Sequence, residues 1–335
     1  MRAPDFWWQS PGLASTTLAP LGAVYGAIAA ARLKRPGARA RVPVICVGDP
    51  TVGGAGKTPT AIAIAKLLAA QSEAPYFVTR GYGGRERGPL LVDLARHAAS
   101  DVGDEPLLLS RTAPAVVSTD RVAGAAFAAQ AGASVIVLDD GFQNPALAKD
   151  FSLLVIDGAS GVGNGRVFPA GPLRAPLLVQ IERAQAIVCI GQSEAGEAVA
   201  RNVRAQNVPV ISAHIRPEPE AARTFAKQRV LAFAGIGRPE KFFRTLEDVG
   251  AVVVERRVFP DHHVYSTGEA HSLLAEATVR NLMLVTTEKD LVRSLRNPAL
   301  AEFAATSHAL PIALQFDDEK QLNDLIGKAL KRRRS

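Results

Sequence analysis

The segment 42–69 constrains this chain more than any other. Residues 42–47 form a short apolar run with the composition of a buried strand, 48–56 is rich in glycine, and 60–69 is patterned as a helix. A strand that passes through a glycine-rich loop straight into a helix is the setting of a phosphate-binding loop. In Thr51-Val52-Gly53-Gly54-Ala55-Gly56-Lys57-Thr58 the glycines let backbone N–H groups turn toward phosphate oxygens, and the helix N-terminus adds partial positive charge. Lys57 would reach the β- and γ-phosphates, and the Thr58 hydroxyl would ligate Mg²⁺. The strict spacing asks for glycine at position 51, where this chain carries Thr51, so the loop is a variant. A glycine-rich turn with a solvated lysine is the alternative, and the strand–loop–helix context speaks against it.

The other apolar runs fit the same fold. Runs at 76–79, 115–118, 134–138, 153–156 and 187–190 read as strands, with helical stretches such as 121–131 between them. This alternation predicts an α/β fold of the P-loop NTPase-like type, a mainly parallel sheet with helices on both faces. A second series begins near residue 230. It has strands at 230–234, 252–258, 282–286 and 312–314, and helices at 239–249, 268–280 and 320–331. A chain of 335 residues has room for two ordinary domains. The expected division is an N-terminal segment 1–41, a P-loop domain 42–215, a polar linker 216–229 with two prolines, and a smaller α/β domain 230–335 closing over the nucleotide.

Further motifs carry candidate chemistry. The run 134–138 ends in Asp139-Asp140-Gly141-Phe142-Gln143. A carboxylate at the end of such a strand holds Mg²⁺ directly or through water, which suits Asp139 and leaves Asp140 for a second ligand or the substrate. An Asp-Asp-Gly turn is the structural alternative. In Asp101-Val102-Gly103-Asp104-Glu105-Pro106, Asp104 either caps a helix or serves as a base for an attacking hydroxyl. In Phe259-Pro260-Asp261-His262-His263-Val264-Tyr265, a histidine beside a carboxylate can act as a tuned base, or the two histidines are a surface pair. No further ligand stands at a spacing that zinc requires. The loops Arg80-Gly81-Tyr82-Gly83-Gly84 and 161–176, which holds Arg166 and Arg174, lie where α/β proteins place substrate contacts. Their arginines can grip anionic groups.

Net charge is +7, which suits an anionic partner, but the excess is uneven. Residues 1–41 carry +5 and residues 328–335 another +5, so the body between them carries −3. A basic stripe across a domain face, as nucleic-acid binding requires, is not expected. Basic ends suit an anionic membrane surface. The N-terminal segment has Trp7 and Trp8, a weakly apolar stretch at 18–31 with Leu21, Val24, Tyr25 and Ile28 at helical spacing, then the basic cluster. It is shorter than the roughly 20 apolar residues of a membrane span. The expectation is an interfacial helix with aromatic and basic anchors. An ordinary docked helix and a cleaved export signal are the alternatives, and an exported protein would meet no ATP. Two cysteines exclude a disulfide scaffold and any multi-cysteine metal site.

Six motifs occur in order: Gly53-Gly54-Ala55-Gly56-Lys57-Thr58-Pro59, Arg80-Gly81-Tyr82-Gly83, Gly103-Asp104-Glu105-Pro106, Asp139-Asp140-Gly141-Phe142-Gln143, Pro169-Ala170-Gly171-Pro172-Leu173-Arg174 and Asp261-His262-His263. Nearly from end to end, the chain resembles the tetraacyldisaccharide 4′-kinases, the lipid A 4′-kinases of Gram-negative bacteria. Pro4-Asp5-Phe6-Trp7 and Thr286-Thr287-Glu288-Lys289-Asp290 look like that family too. The resemblance implies ATP and Mg²⁺, and phosphorylation of the 4′-hydroxyl of a tetraacylated glucosamine disaccharide 1-phosphate. It implies a peripheral protein on the cytoplasmic face of the inner membrane, with no nucleic acid and no obligatory protein partner. Among residues, it implies Asp104 paired with His262, ahead of His263, as the base beside Lys57. It puts Thr58, Asp139 and Gln143 at the metal, and Arg80, Tyr82, Arg121, Asp140 and Arg174 at the acceptor substrate. Asp104 and His262 fall in different expected domains, so the active form is expected to need domain closure over the nucleotide, which excludes water. Two positions depart from the family: Ala175, where glutamate is usual, and Asn144, where histidine is common. A guanine-specific switch protein is the rival class, and Thr287-Glu288-Lys289-Asp290 lacks the spacing that guanine recognition needs.

Overall fold

The computed structural model describes residues 3–334; Arg2, part of the N-terminal basic cluster, lies outside them. The strands are β1 (Val44–Gly48), β2 (Pro75–Thr79), β3 (Leu90–Leu91), β4 (Ala115–Val117), β5 (Val135–Asp139), β6 (Phe151–Asp157), β7 (Ala186–Ile190), β8 (Val210–Pro217), β9 (Arg229–Ala234), β10 (Val252–Val258), β11 (Met283–Thr287), β12 (His308–Leu310) and β13 (Ile312–Phe316). Among the described residues they form a nine-stranded sheet in the order β13-β8-β7-β6-β1-β5-β2-β4-β3 and a four-stranded sheet in the order β10-β9-β11-β12. The larger sheet is parallel except at its edges, where β13 pairs antiparallel with β8 and β3 with β4.

β1, β5 and β6 are buried at every position, as continuous apolar runs covered on both faces should be. Side chains alternate between the faces. Ile45 and Val47 join one core with Ile64 and Leu68 of the helix Lys57–Ala70. Val44 and Cys46 join the other with Ala125 and Ala128 of the helix Arg121–Gln130 and Val203 of the helix Glu194–Arg204. Burial pushes the Cys46 thiol up to about 12, so it packs as an inert hydrophobe. β1 sits between β6 and β5, and Val47 lies opposite Asp139. The phosphate loop and the acidic strand end therefore emerge side by side, at the carboxyl edge where open α/β sheets bind ligands.

The second lobe packs Phe242, Phe243 and Leu246 on one face of its sheet, and Leu273, Tyr265 and Phe303 on the other. The chain path departs from the expected limits in two places. The segment 216–229 is not a free linker: the helix Pro219–Phe225 buries Ala221 and Phe225 in the second lobe. Pro219 opens that helix, where a missing N–H costs nothing. The chain's end also returns to the first lobe. β13 adds to the larger sheet, and the helix Glu319–Arg334 lays Leu322, Ile326 and Leu330 into the core that holds the phosphate-loop helix. Helical spacing shows which face of this helix is apolar but not which sheet covers it. The lobes are also pinned by Asp157 at the end of β6, which takes Lys241 at 2.6 Å and Arg238.

The N-terminal helix Ala19–Leu33 lies against the loop 167–176 through its small residues. A Cβ at Gly22 would come within 2.8 Å of Val167 O, so only glycine permits that approach. A second stripe, Leu21, Val24, Tyr25 and Ile28, is exposed. No described helix is long and apolar enough to cross a membrane. The tryptophans are not the expected surface anchors. Trp7 is buried, and its Nε1 donates to Pro169 O at 3.0 Å. The Trp8 ring lies under the Arg238 guanidinium. Indole N–H groups seek a partner when buried, and the 167–176 loop supplies one.

Candidate active site

The loop after β1 is shaped by where its backbone bonds go. Thr51 forms an isolated antiparallel bridge with Leu173, the Val52 N–H donates to Pro172 O at 2.8 Å, and the Arg174 N–H donates to Pro50 O at 2.8 Å. This clasp holds Thr51 in a bridge and buries it, so glycine's left-handed freedom is not needed there. It also spends the Val52 N–H, which corrects the expectation that Val52 helps to cradle phosphate. That leaves Gly53, Gly54, Ala55, Gly56, Lys57 and Thr58 for the cradle. Gly56 has φ +95°, and a Cβ there would lie 2.5 Å from Ile190 Cδ1. Gly56→Ala is therefore expected to cost about 1–3 kcal/mol of stability and to weaken ATP binding about tenfold or more, read by thermal melting and calorimetric titration.

A charged cluster surrounds the loop. Lys57 Nζ lies 2.6 Å from Asp49 Oδ2 and 3.8 Å from Asp140. Arg174 spans Asp49 at 3.1 Å and Asp140 at 3.4 Å, and its Nε donates to Thr51 O at 2.9 Å. Asp49, to which the sequence reading gave no role, is the fully buried centre of the cluster. Its only sequence signal is an acid at the end of an apolar strand. Burial pushes its carboxyl up, against the pull of Lys57 and Arg174. Burial also opposes the Lys57 charge, but Asp49 and Asp140 outweigh it and hold the ammonium above its ordinary value. Asp140 is held below the usual carboxylate range because Lys57, Arg174 and Arg121 together outweigh its burial.

Asp139 ends β5, and its Oδ2 accepts from the Thr58 hydroxyl at 3.2 Å. Its Oδ1 is buried without a hydrogen-bond partner. Burial, reinforced by Glu105, pushes its carboxyl up to about 7. An orphaned carboxylate oxygen beside a threonine hydroxyl fits Mg²⁺, which takes one or two carboxylates and leaves other positions to water and phosphates. Among the described residues no group of three His, Cys, Asp or Glu forms a fuller metal cluster. Gln143 donates its amide N–H to Asp49 O at 2.8 Å and to Gln180 at 3.1 Å, supporting the loop from below. Arg121 is buried: it donates to Ser118 O at 2.6 Å and leaves its Nε unpartnered. Arg80 is exposed, and the exposed Tyr82 meets the His262 ring edge-on at 5.4 Å.

Asp104 does not cap its helix. Gly103 is the cap, Asp104 is the first helical residue of Asp104–Leu109, and its Oδ1 accepts from the Glu105 N–H at 2.9 Å. Its Oδ2 lies 3.1 Å from His262 Nδ1. His263 turns instead to Glu269 at 3.1 Å and stacks on Phe259. The sequence reading missed Arg293, which donates to Asp104 Oδ2 through Nε at 2.8 Å and NH2 at 2.5 Å. Its NH1 donates to Gly235 O at 2.7 Å and Asp290 at 2.8 Å. It stands one turn beyond Asp290 of the Thr286–Asp290 string, a family-like stretch without an assigned role. Lys289 adds a bridge to Glu105 at 2.7 Å. Asp104 and His262 thus meet across the lobes, with Arg293 and Lys289 beside them.

Comparisons with known proteins identify the family. A profile of the family described as Tetraacyldisaccharide-1-P 4'-kinase matches residues 14–331. The chain belongs to this family. A tetraacyldisaccharide 4'-kinase of Methylobacterium radiotolerans is 54% identical over 331 residues, covering 98% of this chain and 99% of the relative. One from Bradyrhizobium sp. strain BTAi1 is 51% identical over 330 residues, covering 98% and 96%. The "apo" form of LpxK from Aquifex aeolicus in complex with ATP superposes with TM-score 0.72 at 25% identity, covering 95% of this chain and 100% of that chain. Members of the tetraacyldisaccharide 4′-kinase family are lipid kinases, so the chain is an ATP-dependent phosphotransferase.

Proposed function

We propose that this chain moves the γ-phosphoryl group of ATP to the 4′-hydroxyl of a tetraacyl glucosamine disaccharide 1-phosphate at the cytoplasmic face of the inner membrane, giving the bis-phosphorylated lipid A precursor. One observation carries the lipid reading. The loop 167–176 seats the N-terminal helix at Val167 and clasps the phosphate loop at Pro172–Arg174. The helix's exposed apolar stripe is thereby tied to the nucleotide loop through a single segment. Arg333 donates to Ala40 O at 2.7 Å, so the two basic ends of the chain meet.

The geometry supports the following roles. The N–H groups of 53–58 and Lys57 bind the phosphates, with Asp49 and Arg174 fixing the loop. Thr58 and Asp139 would hold Mg²⁺, which neutralises phosphate charge when bound, and Gln143 steadies the loop beside them. Asp140, Arg80 and Tyr82 would meet the acceptor, with the buried Arg121 behind Asp140. The Asp104–His262 pair takes the hydroxyl proton.

The test is mass spectrometry of acylated and deacylated disaccharide 1-phosphate incubated with ATP and Mg²⁺. A gain of one phosphoryl group on the acylated form, lost in Lys57→Ala, is expected; equal rates on both forms would favour a soluble metabolite instead. The membrane arm has its own check. Leu21→Ser with Ile28→Ser should cut cosedimentation with vesicles of anionic phospholipid about tenfold, while leaving ATP affinity unchanged. Unaltered sedimentation would remove the helix from that role.

A further inference from the structure

We propose that the N-terminal turn is part of the joint between the lobes: Trp8 seats Arg238, and Arg238 is a positioning residue that sets the second lobe for the transfer. This deepens the kinase reading and rests on it. The turn Asp5–Trp8 is tied to the first lobe by the loop after β6. Asn164 donates its backbone N–H to Trp7 O at 2.7 Å and its side-chain amide to Phe6 O at 3.2 Å. A Cβ at Gly163 would come within 2.3 Å of Trp7 O and 3.2 Å of Trp8 Cε3, so only glycine lets the loop lie this close. The half-buried Trp8 ring is thereby backed by the first lobe, and the Arg238 guanidinium of the second lobe covers it.

Arg238 Cζ stands 5.5 Å from the centroid of the Trp8 ring, within reach of a cation–π contact. Its NH1 donates to Asp157, and its NH2 donates to Ser160 Oγ at 2.8 Å. The Asp157 side chain is 7% exposed, so its charge has to be met where it stands. Its Oδ1 accepts the Ala159 N–H at 2.9 Å, and Arg238 and Lys241 share its Oδ2. Lys241 alone could answer that charge. A planar guanidinium does more: it bonds Asp157 and Ser160 along its edge while an indole lies against its face. The placement matters because of what the adjoining loop carries. Arg238 ends the loop 235–238, where Gly235 O accepts the His262 N–H at 3.1 Å and Arg293 NH1 at 2.7 Å. A Cβ at Gly237 would lie 3.5 Å from Asp261 Oδ2, so this loop also backs the segment that holds His262. A shift at Arg238 therefore reaches the reacting groups through a short stretch of backbone, while the phosphate cradle at 53–58 stays with the first lobe. Small misplacements of this kind are costly in turnover. Trp8 thus has a task separate from membrane contact.

The experiment has two arms on the full chain. In kinetics, with the acylated acceptor dispersed in neutral detergent so that surface binding does not limit turnover, Trp8→Ala and Arg238→Gln should each lower kcat about tenfold and leave KM for ATP little changed. The double variant should lose no more than Arg238→Gln alone, because both changes break one contact. Trp8→Phe, which keeps a ring under the guanidinium, should restore most of the turnover. Trp8→Ala should still cosediment with vesicles of anionic phospholipid as the wild type does. The second arm is fluorescence and needs no turnover. Trp7 and Trp8 are the chain's two tryptophans, and Trp7 is held by Pro169 and Phe168, so the change that Arg238→Gln makes in the emission reports on Trp8. A shift to longer wavelength is expected as the ring loses its cover. Full turnover in Trp8→Ala, additive losses in the double variant, vesicle binding lost with turnover kept, or unchanged emission would overturn the proposal. If Arg238→Gln does not fold, the contrast between Trp8→Ala and Trp8→Phe still decides it. A wild-type chain that phosphorylates no acylated disaccharide would count against the kinase reading, and the emission would still decide the joint.

Discussion

Lys57→Ala is expected to lower kcat by about a thousandfold or more while the chain still folds. In phosphoryl transfer the protein acts by positioning and by countering charge on the migrating group, and Lys57 is the cation that the phosphate loop presents. The variant has a second, independent signature. Lys57 is the nearest cation to Asp49, at 2.6 Å, and Asp49 is fully buried. Without the lysine, burial pushes that carboxyl up further, with Arg174 alone opposing it. A carboxyl raised above its unfolded value destabilises the fold above the unfolded pKa, and that penalty disappears as pH falls below it. Lys57→Ala should therefore melt lower than wild type near neutrality, and the gap should narrow toward about pH 4, where the unfolded carboxyl also takes up its proton. Thermal melts across pH, paired with a turnover assay, check both parts. A variant with full turnover would remove Lys57 from the transfer, and a gap constant with pH would mean that Asp49 is not the group left exposed.

What the sequence could reveal divides along physical lines. Strand–loop–helix order is local, so the phosphate loop, its helix and the strand ending at Asp139 stand where their spacing puts them. Pairing between distant segments is not local. Thr51 breaks the glycine pattern, and its bridge to Leu173 supplies the reason. Asp49 carried no signal beyond its place at a strand end, because its meaning comes from Lys57 and Arg174 closing on it. Arg293 meets Asp104 from 189 residues away, and nothing in its own helix marks it out. The chain's last strand and helix fit either sheet by composition, and only the antiparallel register of Leu314 with Ile215 assigns them to the larger one. Trp7 shows the opposite limit: an aromatic beside a terminus reads as an anchor, yet here it fills the gap beneath the 167–176 loop.

Asp139→Asn should stabilise the chain and sharply lower its turnover together. The Asp139 carboxyl is pushed up to about 7 by burial, from an ordinary value of 3.8. Folding near neutrality must then bind a proton or bury a charge, and its Oδ1 has no donor to share that charge. The raised carboxyl makes the fold most stable below the unfolded value, and stability is lost as pH rises through about 7. Asparagine removes the ionisation, while its amide oxygen can still accept from the Thr58 hydroxyl. The variant's melting temperature should exceed the wild type's at pH 8, and the two should converge below about pH 3, where the wild-type carboxyl is neutral in both states. Turnover should fall by about a hundredfold or more, because a neutral amide offers a cation little. The stabilisation that Mg²⁺ with a non-hydrolysable ATP analogue gives the wild type should fall away in the variant, a readout separate from catalysis. If Asp139→Asn melted no higher at pH 8 yet lost the Mg²⁺ effect, the burial argument would fail and the metal role would stand. If it melted higher and kept the Mg²⁺ effect, the metal would sit elsewhere, and the carboxylate's burial would need another purpose.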